Sequence, residues 1–409
     1  MQDIRDGKTC WIDSADHFQA MSPLHSDVRC DVAVIGAGVS GAFIAQRLVE
    51  RGFDVVVVDR GQPGSGSSAA CTALVQYDLD QPLIELIGQY GVERASETYR
   101  SCVWALERLQ EVSAKVDPEC KLIKRPSLLL ARKSSHLREM KKELEARKAA
   151  GIDVAWVEKD ELMSEWNVDR PGAIASSLSF ELDPYRLTRL LLINAASAGA
   201  RVFTPVEVVW EDLPYKADEN DKIRLETTHG PTITASHVVV ATGYQTPEYV
   251  RRYFGDLAST FAACSAPVDN LDEVWSKRQL IWEWGTAYLY ARTLPDNRVI
   301  FGGGDLGFKD AHQRNALTHK TIDSLAKQLE KCVPGLKIEP VLRWSGTFGE
   351  TSDGMPYIGA FPDNPRLHFA LGFGGNGLTF SVLAAQIISE EIEQSTPRSP
   401  LANLFSFDR

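Results

Sequence analysis

The sequence predicts an α/β fold with a parallel sheet at its centre. A strand-like run at 31–35 passes through closely spaced glycines into a helical stretch, and the apolar run Val55–Val58 follows as a second strand. Strands that are apolar on both faces are typical of parallel sheets covered by helices. Similar glycine-containing pieces recur at 223–243 and 372–392. We therefore expect the sheet to be assembled from segments that lie far apart in the chain.

Local patterns define the elements after this first βαβ unit. Asp183-Pro184 opens a helix, because aspartate caps a helix start and proline suits its first turn. Glu143 and Arg147 form an i,i+4 pair on a charge-rich helix, for which we expect a solvated surface. The predicted elements are helix 83–116, strand 122–131, helix 134–150, helix 183–199, strand 201–209, two strands within 223–241, strands within 282–292 and 298–302, and helix 378–392.

Composition excludes several classes of protein. The 409 residues include 44 Lys+Arg and 55 Asp+Glu, and the net charge of −11 argues against a surface for nucleic acid or anionic lipid. The seven cysteines are scattered and the histidines form no metal-binding motif, so we expect no disulfide scaffold and no metal site. No apolar run is long enough to span a membrane, and no signal peptide is visible. A cytoplasmic protein of about two or three domains is expected.

A glycine turn after the first strand carries the clearest chemical signal. In Gly36-x-Gly38-x-x-Gly41 the glycines permit a tight turn, and free N–H groups at the helix start can bind a pyrophosphate. Asp59, at the end of the second strand, is placed to accept hydrogen bonds from ribose hydroxyls. A glycine-rich turn without a ligand is the alternative, but the surrounding strand, helix and acidic residue favour a dinucleotide.

The connection that follows bears on which dinucleotide binds. Residues 60–74 are rich in small and hydroxyl-bearing side chains, and the segment is longer than a simple nicotinamide enzyme needs here. A dinucleotide whose flat ring system lies against the backbone explains such a segment. An ordinary flexible loop is the alternative.

Several motifs together make the chain resemble the D-amino-acid-oxidase-like family of FAD-dependent oxidoreductases, which includes glycine oxidase, sarcosine oxidase and γ-glutamylputrescine oxidase. The resemblance extends over most of the chain, from 31 to 392. It rests on the first βαβ unit, the segment 60–74, Ala241-Thr242-Gly243, Trp344-Ser345-Gly346 with 353–359, and the stretch 372–379.

The resemblance implies a Rossmann-like FAD-binding domain with an inserted α+β substrate domain built on a mostly antiparallel sheet. After an N-terminal arm, 1–29, the FAD-binding domain would comprise 30–85, 183–248 and 341–395. The substrate domain would comprise 86–182 and 249–340.

By position in the motifs, the resemblance also implies the contacts to FAD. The stretch 373–379, at the start of the final helix, would stabilise negative charge on reduced flavin. FAD is expected to be non-covalent, because Ala70 stands near the position of the linking histidine of some relatives, and Cys71 is expected to be a small buried side chain. The implied FAD contacts are Gly36, Gly38, Val39, Ser40, Gly41, Asp59, Arg60, Ser67, Ser68, Thr72, Ala73, Leu74, Val208, Ala241, Gly243, Gly346, Phe373, Gly374, Gly375, Asn376, Gly377, Leu378 and Thr379.

Departures from the family pattern concern the substrate. Relatives that oxidise amino acids place an arginine shortly after the W-x-G tripeptide, where it binds the substrate carboxylate bidentately. Here that position is Phe348, and either Arg292 or Arg343 is a candidate replacement. Glu350 is a candidate for binding a cationic amine, with a hydrogen-bonded turn as its alternative role. The candidates for contact with substrate are thus Tyr290, Arg292, Phe348 and Glu350, together with Tyr288 on the same predicted strand as Tyr290.

These features predict an enzyme that oxidises the C–N bond of an amine or amino acid. Hydride would pass from the carbon bearing nitrogen to flavin N5, water would hydrolyse the imine, and oxygen or another acceptor would take the electrons. No catalytic side chain is assigned, because this step needs no obligatory base. Two alternatives stay open: a flavin enzyme that acts on a hydroxy acid, and a non-catalytic flavin-binding partner subunit. No oligomeric state is predicted.

Overall fold

Two β-sheets, one of seven strands and one of ten, organise the part of the chain that the structure describes. The computed structural model describes residues 5–11, 21–116, 122–209, 222–253, 257–285, 288–308, 310–349, 351–393 and 400–409. Helices pack against both sheets. Within the described ranges, no helix is both long and apolar enough to cross a membrane.

The seven-stranded sheet contains the predicted βαβ unit. Its strands are β2 (Val28–Ile35), β3 (Val55–Val58), β8 (Arg201–Phe203), β9 (Ile223–Leu225), β10 (Ile233–Val240), β16 (Tyr357–Phe361) and β17 (Asn364–Leu371). They lie in the order β16-β17-β10-β2-β3-β8, with β9 beside β10. The pairs along β17-β10-β2-β3-β8 are parallel, whereas β9 and β16 pair antiparallel.

The valines of β3 show why a strand of this sheet appears in the sequence as a continuous apolar run. Val55 and Val57 belong to one buried cluster, and Val56 and Val58 belong to another on the opposite face. Successive side chains of a strand point to opposite faces, so a strand covered on both sides needs apolar residues at every position. The predicted parallel sheet is therefore confirmed, although β2 begins at Val28 and not at 31.

The helices pack against one another as well as against the two sheets. Helix α1 (Val39–Glu50) packs against α7 (Pro184–Ser197) and α10 (Gly377–Ile392). The predicted helix 83–116 is two helices, because Gly91 between them has φ +80°, outside the right-handed helical region. The helices are α1 (Val39–Glu50), α2 (Ser67–Ala70), α3 (Leu83–Tyr90), α4 (Val92–Val116), α5 (Leu137–Ala149), α6 (Lys159–Trp166), α7 (Pro184–Ser197), α8 (Leu271–Val274), α9 (Ala311–Cys332), α10 (Gly377–Ile392) and α11 (Pro400–Phe405), with 3₁₀ turns at Ser134–His136 and Glu248–Tyr253.

The ten-stranded sheet is mostly antiparallel, as predicted. Its strands are β1 (Arg5–Gly7), β4 (Leu74–Gln76), β5 (Ile123–Leu130), β6 (Val154–Glu158), β7 (Gly172–Glu181), β11 (Leu257–Ser265), β12 (Leu280–Glu283), β13 (Leu289–Thr293), β14 (Val299–Leu306) and β15 (Pro340–Gly349). Their order is β1-β15-β11-β14-β13-β12-β5-β7-β4, with β6 also beside β7. Among the described pairs only β5 and β12 run parallel.

Some strands of this sheet lie outside the segments expected for the substrate domain. β4 falls within 30–85, and nearly all of β15 falls within 341–395, both segments that the sequence predicts for the FAD-binding domain. β1, from the predicted N-terminal arm, pairs antiparallel with β15. The chain therefore crosses between the two sheets inside the predicted FAD-binding segments.

The Glu143–Arg147 pair on α5 is buried, so the expectation of a solvated surface was wrong for this pair, although the other charged side chains of the helix are exposed. Arg147 donates to Glu143 Oε1 at 2.7 Å and also to the carboxylate of Asp78. The two oxygens of Glu143 in turn accept from the backbone N–H groups of Leu83 (3.0 Å) and Ile84 (2.9 Å) at the start of α3. The i,i+4 spacing shows that two residues share a helix face, but it does not show whether that face meets water or protein.

Substituting Arg147 by methionine tests how much this buried network contributes to the free energy of unfolding. Arg147→Met leaves Glu143 and Asp78 buried without their cation, so we expect the free energy of unfolding to fall by about 3–5 kcal/mol. Urea titration followed by circular dichroism measures it. Arg138→Met, at an exposed position of the same helix, is the matched control and should cost little. Equal losses in both variants would contradict the role given to the network.

Candidate active site

A cavity of about 1090 Å³ lies between the two sheets. On one side it is lined by residues at the carboxyl ends of β2, β3 and β10, which is where open α/β sheets bind ligands. On the other side it is lined by residues of β11, β13, β14 and β15. One continuous cavity thus joins the parallel sheet to the antiparallel one.

Two of the three glycines in the turn at one end of this cavity leave no room for a side chain. A Cβ on Gly36, whose φ is +110°, would lie 2.4 Å from the carbonyl oxygen of Ala241, and a Cβ on Gly41 would lie 1.9 Å from that of Gly36. A Cβ on Gly38 would have only Ser68 Oγ close to it, at 3.4 Å, and Gly38 lines the cavity. Gly36 and Gly41 therefore let the backbone close on itself, and Gly38 leaves room for a ligand.

Two helix starts open onto the cavity, and neither is capped by the side chain of its own N-cap residue, although Ser68 Oγ accepts from Val39 N–H of α1 at 2.9 Å. The N-cap residues are Gly38 for α1 and Asn376 for α10, and neither makes a capping hydrogen bond through its side chain. Both residues line the cavity. Because N–H groups at a helix start carry partial positive charge, these two ends favour negatively charged parts of a ligand.

Asp59 lies at the cavity, but its oxygens already accept backbone hydrogen bonds. Oδ2 accepts from Ala37 N–H at 2.7 Å and Oδ1 from Gly61 N–H at 2.8 Å. Burial raises the pKa of Asp59, while these bonds and the charge of Arg60 lower it in part. Asp59 therefore holds the glycine turn in shape, and a ribose hydroxyl would have to share its remaining lone pairs.

The segment 60–74 is held in place from the large sheet. The indole N–H of Trp11 donates to Cys71 O at 2.8 Å, and that of Trp344 donates to Ala70 O at 2.9 Å. Arg292 Nε donates to Thr72 O at 2.7 Å. The alternative of an ordinary flexible loop is therefore not supported.

Neither arginine proposed to replace the missing carboxylate-binding residue lines the cavity. Arg292 is buried behind the segment 60–74, and it also donates to Leu182 O at 2.9 Å. Arg343 Nη1 instead lies 2.8 Å from Asp323 Oδ1, and the side chain of Asp323 is largely exposed. The structure thus corrects the assignment of Arg292 as a substrate residue: the basic residue is conspicuous in sequence, but its donors serve backbone carbonyls.

The other predicted site residues converge on the cavity with few exceptions. Gly41 supports the turn without lining the cavity, and Thr379 is buried and donates to Gln76 O at 3.0 Å. Glu350 lies outside the described residues. The remaining predicted FAD contacts all line the cavity, as do Tyr288, Tyr290 and Phe348 on the side of the large sheet.

Sequence reasoning missed several carboxylates that line the cavity, among them Asp80 and Asp305. Asp80 lies beyond β4 and accepts from Gly375 N–H at 2.7 Å and from Asn376 Nδ2 at 3.3 Å. Asp305 lies in β14 directly after Gly302-Gly303-Gly304, and that setting was an available signal. Nothing local marks Asp80, because its bond to Gly375 joins residues 295 positions apart.

A glycine turn between a parallel strand and an uncapped helix, open to a ligand-sized cavity, defines a dinucleotide-binding protein. The model of a known family, described as FAD dependent oxidoreductase, matches residues 31–391, and the chain belongs to this family. The protein is therefore an FAD-dependent enzyme, as the sequence motifs predicted.

Individual relatives are distant in sequence but similar over nearly the whole chain. Glycine oxidase of Geobacillus kaustophilus (strain HTA426) is 25% identical over 395 residues, covering 91% of this chain and 96% of that protein. Gamma-glutamylputrescine oxidoreductase of Escherichia coli (strain K12) is 26% identical over 415 residues, covering 96% and 90%. The crystal structure of glycine oxidase from Geobacillus kaustophilus aligns with a TM-score of 0.74 at 22% identity, covering 93% and 99%. The α/β fold with two sheets is thereby confirmed.

The residues at the cavity fit FAD. The open side of Gly38 and the uncapped start of α1 suit a pyrophosphate, and the uncapped start of α10 suits the electron-rich end of a reduced flavin. The small side chains of the segment 60–74 leave space beside its backbone. Across the described ranges no cluster of side chains could hold a metal ion.

Gly41→Ala tests the steric account of the glycine turn. Its new Cβ would meet the backbone oxygen of Gly36, so the turn must open and FAD binding should weaken at least about tenfold. The ratio of flavin to protein absorbance in the purified variant, with circular dichroism to verify folding, measures this. Gly88→Ala, which adds a Cβ in open space within α3, should keep its flavin. A fully loaded Gly41→Ala variant would refute the account.

Part of the cavity wall depends on an ion pair behind it. Asp353 follows Thr351 and Ser352, which line the cavity. Arg409 donates to its two oxygens, from Nε at 2.7 Å and from Nη2 at 3.0 Å, and Tyr90 donates to Oδ2 at 2.7 Å. Burial alone would raise the pKa of Asp353, but the hydrogen bonds and charge of Arg409 lower it to about 2.

This low pKa predicts an acid-dependent loss of stability. Because the folded-state pKa is below the ordinary value of 3.8, the stabilisation is complete above about pH 4 and is lost as the pH falls through about 2. Asp353→Asn should therefore be less stable at neutral pH and lose less stability between pH 4 and pH 2. Urea titrations across this range measure it, with the exposed Asp363→Asn as control. Parallel pH profiles for wild type and Asp353→Asn would argue against it.

Proposed function

We propose that this enzyme oxidises the C–N bond of a small amine or amino acid. The observation that carries the proposal is that the dinucleotide site and an aromatic-lined pocket are two parts of one cavity, so a substrate in the pocket reaches the cofactor without crossing a wall. The names of the relatives, glycine oxidase and gamma-glutamylputrescine oxidoreductase, support nitrogen-bearing substrates.

Bound FAD supplies a two-electron acceptor, so that the carbon bearing the nitrogen can lose a hydride and the resulting imine can be hydrolysed. Tyr288 and Tyr290 face the pocket from the large sheet, with ring centroids 5.9 Å apart. Burial raises the pKa of both phenols, so they stay protonated. Tyr288 donates its proton to Asp305, whereas Tyr290 can donate a hydrogen bond that orients a substrate. Phe348 adds an apolar surface that excludes water.

The chain's own polar groups suit this chemistry without a strong base. The cavity-lining residues that the structure describes include no histidine and no lysine. The start of α10 favours negative charge by about 0.3–1 kcal/mol, which supports the reduced cofactor. The role of the protein is therefore to orient a neutral amine and to exclude water.

Anaerobic mixing of FAD-loaded protein with a panel of amines, amino acids and hydroxy acids tests the proposal. We expect at least one nitrogen compound to bleach the absorbance of oxidised flavin, and the hydroxy acids to leave it unchanged. Admitting oxygen afterwards, with an assay for hydrogen peroxide, distinguishes an oxidase from a dehydrogenase. Bleaching by hydroxy acids alone would overturn the proposal, and flavin that no compound reduces would favour a non-catalytic partner subunit.

A further inference from the structure

Among the carboxylates that line the cavity, two buried ones have a basic partner. Asp78 and Glu283 pair with Arg147 and Arg170. Asp80 and Asp305 also line the cavity, but they make no ion pair with an arginine or lysine in the described ranges. Because carboxylates in an enclosed site are normally paired, the lack of a cation beside these two needs a cause.

Asp80 and Asp305 both line the cavity, Asp80 with an exposed side chain and Asp305 with a half-buried one. Asp80 is accessible from the cavity, yet the enclosing protein raises its pKa to about 6, and the charge of Asp305 adds to this rise. Burial also raises the pKa of Asp305, while the hydroxyl groups of Thr260 and Tyr288 partly offset it. The two carboxyl groups therefore face one cavity, where burial disfavours their charged forms until a cation lies beside them.

Hydrogen-bond acceptors without donors occur in the same cavity. Oδ1 of Asp305 is buried and accepts no hydrogen bond from the part of the chain that the structure describes. Gln76, four residues before Asp80, lines the cavity and is only 9% exposed, and its Oε1 is likewise without a partner there. Buried oxygens of this kind are normally satisfied, and an ammonium group offers three N–H donors and a positive charge.

The aromatic residues of the pocket suit the same ligand. Tyr288 and Tyr290 stand beside Asp305, and Trp282 and Phe348 complete the lining. The faces of aromatic rings attract ammonium groups. Phe348 stands where an arginine would bind a carboxylate, and neither Arg292 nor Arg343 lines the cavity. Of the arginines that do line the cavity, Arg147 is paired with Asp78 and Glu143, Arg5 donates to Ser65 O, and Arg60 follows Asp59 at the glycine turn. The part of the cavity beside Asp305 therefore offers more to a second cation than to a carboxylate.

We propose that Asp80 and Asp305, with Gln76, bind a protonated amino group of the substrate, so that the preferred substrates are aliphatic diamines or polyamines. This inference rests on the proposed C–N oxidation, because one nitrogen is held as an ammonium ion while the other, as a neutral amine, is oxidised. An α-amino acid cannot use the site in this way, because its carboxylate would meet two like charges.

Binding is best measured where no turnover occurs. FAD-loaded protein is first reduced with dithionite under nitrogen, so that it cannot take a hydride, and is then titrated in a calorimeter. The ligands are α,ω-diamines of three to six carbons, the alkylamines of equal length, and the matching ω-amino acids. We expect the best diamine to bind roughly ten- to a hundredfold more tightly than its alkylamine, the range expected of a charge-assisted hydrogen bond.

The variant Asp305→Asn tests whether Asp305 is responsible for the tighter binding of the diamine. It should remove most of the advantage of the diamine and leave alkylamine binding unchanged, whereas Asp153→Asn, at an exposed position, should change neither. Asp80→Asn should have the same effect, provided that its flavin content, measured first, survives the loss of bonds to Gly375 and Asn376. An equal loss for diamine and alkylamine in Asp305→Asn would indicate a structural role and overturn the proposal.

The comparison of diamines, alkylamines and ω-amino acids on the wild-type protein tests the inference even where a variant fails to fold. Diamines that bind no better than alkylamines, or more weakly than ω-amino acids, overturn this inference. Its failure is distinct from failure of the proposed function. Bleaching of oxidised enzyme by amino acids without a diamine preference would leave C–N oxidation intact. Diamine binding through Asp305 without any bleaching would leave the binding site intact and refute the oxidation.

Discussion

The attachment of the segment 60–74 to helix α1 on one side and to the large sheet on the other is the constraint on which the site depends. Ser68 Oγ accepts from Val39 N–H at 2.9 Å, which ties the segment to the first turn of α1. From the large sheet, Trp344 and Arg292 bind its carbonyl oxygens, and Trp11 of the N-terminal segment binds a third. Because backbone carbonyls are obligatory acceptors, these bonds hold the segment between the sheets and give the cavity a continuous wall.

Opposite charges are distributed along this cavity in a way that suits a two-part ligand. The uncapped starts of α1 and α10 provide positive ends toward FAD, whereas Asp80 and Asp305 provide negative charge toward the pocket. Asp80 links the two regions, because it accepts from Gly375 and Asn376 at the start of α10. An arrangement of this kind orients a substrate by charge as well as by shape. Net charge alone, at −11, would not have revealed it.

The cofactor half of the site could be predicted from sequence because its determinants are local. The glycine turn, the strand before it and Asp59 lie within one short βαβ unit, and each requires a particular residue type at a particular backbone position. The final helix was predictable for the same reason, since glycines and an apolar run mark its start. Val208 and Gly243 were found through motif resemblance, and both line the cavity.

The substrate half depended on tertiary structure. Sequence alone determined the class of cofactor site, the two-sheet fold and the absence of arginine at 348. It could not decide whether Arg292 faces ligand or protein, whether Glu143 and Arg147 meet solvent, or whether Asp80 and Asp305 line one cavity. Local backbone geometry is encoded by neighbouring residues, whereas the burial and pairing of a charge depend on which distant strands and helices pack beside it.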